Sequence, residues 1–211
     1  MAEFKPDPPI EDVAKNLDKH GSRAATLKAL KSIRESWATV AEPGRESILK
    51  DGLGQAIDDN LKKAVEREQD PLAKLSLKLG NIVEDLTDDD IKAEAAKEPN
   101  KFWKAMYSFA LAQAKLRFAF SEEVNFALGK VRVNEIEGAE RGVRLVQVPR
   151  MKQKKVAPEA KQAQEILEEL AASAKGTPWE VVAKQWRSIS LGLEWRPREK
   201  NVDTSGADEK K

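Results

Sequence analysis

Gly176-Thr-Pro-Trp-Glu-Val-Val-Ala-Lys-Gln-Trp186 is the stretch that decides the fold. The glycine ends one helix, and Thr177-Pro178-Trp179-Glu180 reads as a capping box with proline at the first helical position. Trp179, Val182, Ala183 and Trp186 then share one face of a helix that docks on the one before it. Trp195 follows in Gly192-Leu-Glu-Trp-Arg-Pro197, so three of the chain's five tryptophans crowd into this segment. Indoles are a dense source of burial energy, and these three are expected to be wedged between helices.

Moving upstream, Pro158 opens the partner helix, with Ala163, Ile166, Leu167 and Leu170 facing inward. Residues 135–155 break the pattern. Gly138, Gly142 and Pro149 punctuate them, Val143–Val148 alternates like an extended strip, and the whole reads as a long loop. Before it, residues 101–134 hold seven of the chain's twelve aromatics and no proline, and Gly129 is their only glycine. One long helix is the simplest reading, about 50 Å at 1.5 Å per residue. Its apolar residues cover more than one stripe, so it should be buried on two sides, as the central helix of a bundle is.

The N-terminal half is a series of shorter helices. Pro9 starts one, with Ile10, Val13 and Leu17 on a face, and Gly21 is read as its end. Ser22 is read as the cap of a second, whose Leu27, Leu30, Ile33, Trp37 and Val40 form a stripe broken by Pro43-Gly44. Ile57, Leu61 and Val65 mark a third, with Gly52 and Gly54 as a bend at its entry. Asp70-Pro71 is read as the start of a fourth, carrying Leu72, Leu75, Leu79, Ile82, Val83 and Leu86. Thr87-Asp88-Asp89-Asp90 caps a fifth.

The expected fold is therefore all-α: a helical bundle of repeat-like stacked helix pairs, one long central helix and a long loop at about 135–155. Its organisation is a flexible lead at 1–9, an N-terminal helical region at 10–98, an aromatic-rich helical region at 99–197, and a polar, disordered tail at 198–211.

Composition limits the chemistry. The chain has 211 residues, 35% of them charged, and no cysteine, which removes disulfides, thiolate metal sites and a Cys nucleophile. No apolar run approaches the roughly 20 residues that span a bilayer. With no secretory signal after Met1, the chain is expected to be cytoplasmic if Met1 is the natural start. The net charge of +1 hides an asymmetry: residues 1–100 carry 16 basic and 21 acidic residues, net −5, which leaves 101–211 at net +6.

No catalytic constellation stands out. His20, the only histidine, reads as a helix C-terminal cap or dipole partner, and no Gly-x-Ser-x-Gly nucleophile motif is present. Asp58-Asp59 and Asp88-Asp89-Asp90 lack the alternate ligands, central Gly and distal Glu of a calcium loop, and read as solvated helix starts. Gly52-x-Gly54 lacks the strand and third glycine of a dinucleotide loop. No catalytic residue, metal or cofactor is assigned. The remaining candidate is a basic strip, Arg141, Arg144, Arg150, Lys152, Lys154 and Lys155. It reads as a solvated loop or as a contact for a polyanion or acidic protein, and it lacks the aromatics that single-strand binders interleave.

The blocks Phe102-Trp-Lys-Ala-Met-Tyr…Leu111-Ala-Gln-Ala-Lys-Leu-Arg117…Glu123-Val-Asn-Phe-Ala-Leu-Gly-Lys-Val-Arg132 and Gly176-Thr-Pro-Trp…Leu191-Gly-Leu-Glu-Trp-Arg-Pro197 carry a resemblance. Together they resemble the C-terminal helical region of large uncharacterised bacterial proteins, some of which also carry von Willebrand factor A-like domains. The Gly-Thr-Pro-Trp motif also resembles helix-pair junctions of tetratricopeptide-like repeats. The likeness covers about residues 101–197 and departs at Ala174-Lys175, where the family usually has His-Pro. It implies no enzymatic activity and transfers no functional residue. The expected function is a non-enzymatic interaction or scaffold module for a protein or peptide partner. The alternative is a nucleic-acid-associated helical protein using the loop at 141–155.

Overall fold

The long aromatic segment is a single helix, and the other elements are laid along it. The protein's structure, a computed structural model, describes residues 4–40, 59–136 and 142–197, with only the backbone described for 37–40. The expected break at Pro43-Gly44, the Gly52/Gly54 bend, Ile57, Asp58, Arg141 and the tail 198–211 lie outside the described residues. The elements in order are α1 (Ile10–Lys15), a 3-10 turn (Leu17–Lys19), α2 (Gly21–Val40), α3 (Asp59–Thr87), α4 (Asp89–Lys97), α5 (Lys101–Arg132), β1 (Val143–Val148), α6 (Ala157–Ser173), α7 (Pro178–Arg187) and β2 (Gly192–Pro197). Among the described residues the chain is mostly helical, with one two-stranded antiparallel sheet. No described helix is long and apolar enough to cross a membrane.

α5 is the central element, as the two-sided apolar pattern requires. Ala105, Ala112, Leu116 and Ala119 pack on Ala160, Ala163, Leu167 and Leu170 of α6, the alanines permitting close helix approach. Ala110, Leu111 and Ala114 meet Ala29 and Ile33 of α2 and Leu75, Leu79, Ile82 and Leu86 of α3. Further along, Val124, Leu128 and Val131 meet Val65 and Leu72 of α3 and Val143 and Leu193 of the two strands. Residues of the 10–98 and 99–197 regions thus share two of the three apolar clusters.

Three local expectations need correction. The helices expected on either side of Asp70-Pro71 are one, Asp59–Thr87, with Pro71 inside it. An interior proline costs about 3 kcal/mol, and the burial of Val65, Leu72, Leu75 and Leu79 against α5 outweighs it. Gly21 does not end the first helix, which stops at Lys15; it opens α2. A side chain at Gly21 would collide with the Glu94 carboxylate, which accepts the Ser22 N–H at 3.0 Å. Ser22 is therefore a buried residue of the first turn, held by α4. Finally, the expected loop at 135–155 contains β1, whose partner β2 lies some 50 residues later, with Val143 opposite Pro197 and Val148 opposite Gly192. The alternation of Val143–Val148 was visible in the sequence; the distant partner was not.

The junction that decided the fold differs in detail. Gly176 has φ +77, and Pro178 occupies the first turn of α7. Thr177 caps by position, yet its hydroxyl donates to the Ala174 carbonyl at 2.6 Å, and Glu180 accepts from the Gly176 N–H at 2.7 Å. The Ala174 carbonyl also accepts the Thr177 N–H at 3.1 Å, so Thr177 closes the turn after α6 with both of its donors. Asp88 does cap α4, accepting from Asp90 and Ile91 N–H.

Trp179 and Trp186 are only half-buried; Trp179 meets Phe102 and Phe109 edge-on at 5.8 Å. Among the described residues the fully buried indole is Trp103, at 1% exposure. Asn100 caps α5 through the Phe102 and Trp103 N–H groups, and the Trp103 ring nitrogen donates to the Pro8 carbonyl at 3.0 Å. Arg23 stands over the Trp103 ring and grips both oxygens of Glu98, at 2.7 and 2.8 Å. Burial opposes the Glu98 charge, but hydrogen bonds from Arg23 and the Asn100 N–H prevail and hold its pKa below the ordinary value.

Trp103→Ala should cost about 3–5 kcal/mol, the range for truncating a buried large aromatic, read as a loss of unfolding free energy in urea. The depressed Glu98 pKa adds stability that is complete above the ordinary carboxylate range and is lost as pH falls through the depressed value. The acid-side decline of the urea midpoint should therefore be shallower in Arg23→Met than in the parent chain.

Candidate functional site

The basic strip is fixed in place by one carboxylate that the sequence reading did not single out. Glu123 lies on α5 and is fully buried. One of its oxygens accepts the Lys152 and Leu193 N–H groups, at 2.8 and 2.9 Å, and the other accepts the Gln153 N–H at 2.8 Å. A buried carboxylate is tolerated only when its lone pairs are occupied, and here three backbone amides occupy them. The result ties the segment after β1 and the start of β2 to the central helix. Trp195 adds a second tie, its ring nitrogen donating to the Ala127 carbonyl at 2.8 Å. The available signal was an acid on the apolar face of a helix, four residues from Ala119 and from Ala127.

Of the predicted strip, Arg144 lies on β1, and Arg150, Lys152, Lys154 and Lys155 lie between β1 and α6; all five are exposed. From Gly142 to Pro158 the chain has these five cations and no carboxylate. Lys152 pairs with Glu194 at 2.7 Å, and Arg196 reaches the other oxygen of Glu194 at 3.1 Å. Those two hydrogen bonds, Lys152 first, hold the Glu194 pKa below its ordinary value. Among the described residues Arg144, Arg150, Lys154 and Lys155 have no ion-pair partner. Register places Arg144 directly opposite Arg196, a like-charge pair that weakens a ladder.

Beside this basic ribbon lies an apolar hollow of about 190 Å³, lined by Leu116, Arg117, Phe120, Gln147, Trp186, Ile189 and Leu191. The Arg117 guanidinium sits 5.3 Å from the centre of the Trp186 ring and donates to Gln113 at 3.2 Å. Burial lowers its pKa from the ordinary value. Deeper in α5, Lys115 is buried and bonded to Glu159 and Gln162, at 2.5 and 2.9 Å. These bonds tie α5 to α6.

A hollow of about 490 Å³ lies at the other end, between α5, α6 and Phe4, and is lined by charges of both signs, including Glu98, Lys101, Lys104 and Glu169. His20 sits apart from both hollows at the end of the 3-10 turn, its carbonyl accepting the Ala24 N–H.

Neither a known protein family, nor a curated protein, nor a solved structure matches this chain. The site is therefore read from its own geometry: an apolar slot with a Trp–Arg rim, next to a ribbon of mostly unpaired cations.

Glu123→Gln keeps the shape but offers one acceptor oxygen and an NH₂ group that faces a backbone N–H. It should cost about 1–3 kcal/mol, the penalty for a buried polar group left unsatisfied. Urea unfolding followed by tryptophan fluorescence would read it; a loss under about 0.5 kcal/mol would mean that the carboxylate does not hold the ribbon.

Proposed function

We propose that this chain is a non-enzymatic helical interaction module that binds a protein or peptide segment. The observation that carries the reading is the apolar hollow at Trp186, Phe120, Ile189 and Leu191. Tryptophan and arginine at the rim of an apolar depression are the residue types that dominate binding energy at protein interfaces. The α6–α7 pair, joined through Gly176-Thr-Pro-Trp179, supports the tetratricopeptide-like part of the same proposal. So does the resemblance of residues 101–197 to helical regions of large bacterial proteins. Stacked helix pairs of that kind offer concave surfaces to such partners.

A second reading is kept because a separate observation favours it. Five exposed cations without an intervening acid, four of them unpaired among the described residues, would attract any polyanion. Binding of nucleic acid through phosphates falls steeply with salt, whereas apolar anchoring does not.

The two readings part in one experiment. A peptide array overlaid with the chain should retain spots at low and high salt alike. An oligonucleotide mobility shift should be weak and should respond little to the combined Lys152→Ala, Lys154→Ala and Lys155→Ala changes. A strong shift that vanishes with salt, and that the triple variant abolishes, would transfer the function to polyanion binding.

A further inference from the structure

We infer that the outer edge of β1 is a strand-docking site for an extended acidic peptide whose apolar side chain enters the Trp186 hollow. This rests on the peptide-binding reading and specifies the partner's chemistry.

The orientation of the edge follows from Glu123. Its bond from the Leu193 N–H means that this residue's main-chain groups point away from β1. In an antiparallel ladder that orientation alternates along the strand. The pairs Leu193–Gln147, Trp195–Leu145 and Pro197–Val143 are then the ones that exchange no ladder hydrogen bonds. Proline, which has no N–H to give, falls at such a position as it must. The main-chain groups of Leu145 and Gln147 accordingly point outward from β1, and among the described residues no hydrogen bond reaches them. An unpaired edge of this kind is a template for another strand.

What the edge would accept is set by the two faces of the ribbon. Gln147 lines the apolar hollow, so a docked residue on that face would direct its side chain toward Trp186. Cavities of about 150 Å³ admit a benzene ring, and this one, at about 190 Å³, has room for a Leu or Phe side chain. The other face carries Arg144 opposite Arg196. Alternate residues of the partner would therefore be Asp or Glu. A nucleic acid would meet the charge but has no amide ladder to offer the edge.

The test uses the full chain and a short fluorescein-labelled peptide in which Glu alternates with Leu or Phe. Its controls are the same peptide with Lys for Glu, and a single-stranded oligonucleotide. Anisotropy should report binding of the acidic peptide and not of the lysine control. Gln147→Pro removes an outward N–H and leaves the β1–β2 ladder bonds intact. Arg144→Glu reverses an exposed charge. Each should weaken the acidic peptide by about tenfold or more, the scale of one close charge pair or strand contact at an interface, with an unchanged circular dichroism spectrum. If Gln147→Pro loses the native spectrum, Arg144→Glu carries the test.

Failure of the acidic peptide to bind, equal binding by the lysine control, or undiminished binding by a natively folded variant would each overturn the inference. Peptides of other sequence retained on the array would then leave the broader reading standing. Salt-sensitive oligonucleotide binding with no peptide retained at all would remove both.

Discussion

A 32-residue helix that is apolar around most of its circumference has to be covered on every side, and α5 imposes that requirement on the rest of the chain. Its first half is covered by α2 and α3 on one flank and by α6 on the other. Its second half is covered by α3 and by the two-stranded ribbon. The same demand explains why α3 runs through Pro71. Breaking the helix there would uncover Leu72, Leu75 and Leu79 together. The transfer cost of exposing three leucines, about 1.5–3 kcal/mol each, exceeds the roughly 3 kcal/mol penalty of an interior proline.

The ribbon is the least self-sufficient element. An isolated pair of strands is marginal in water, and this pair also sets Arg144 against Arg196. It exists because α5 supplies what it lacks. Val143 and Leu193 bury on Val124, Leu128 and Val131, while Trp195 hydrogen-bonds the Ala127 carbonyl. Glu123 takes the amides at the point where the chain leaves one strand and enters the other. A carboxylate is suited to this because it is all acceptor: three N–H groups converge, and a neutral amide would turn donors toward one of them.

The elements that were legible in the sequence are those whose signal is local. The unbroken apolar pattern of 101–134 gave the central helix to within two residues of its observed end. Gly176-Thr-Pro marked the α6–α7 junction, and Asp88 marked the start of α4. What was not legible depends on contacts between distant residues. Gly21 looked like a helix terminator, yet it opens α2 where the Glu94 carboxylate approaches too closely for a side chain. Trp103, one aromatic among seven in its helix, is fully buried because Pro8 and Arg23 close over it. At the site, the cations were visible as composition, but their presentation on a strand depends on β2 and on Glu123. An acid in an apolar helix face gives no hint that its partners are backbone amides 29 to 70 residues away.

Positive charge on the ribbon is also a question of where a protein can hold an unfavourable arrangement. Like charges set opposite each other weaken a ladder by a fraction of a kcal/mol to about 1 kcal/mol, a serious loss for two strands standing alone. Here the apolar face packed on α5 and the Glu123 bonds to the backbone supply the missing stability, so Arg144 and Arg196 are not needed to hold the strands. Among the described residues Glu194, placed beside Arg196 and bonded to Lys152, moderates that field. Stability is thus concentrated on the buried face of the ribbon and chemical character on the exposed one. That division allows a marginal element to carry a binding surface without failing to fold.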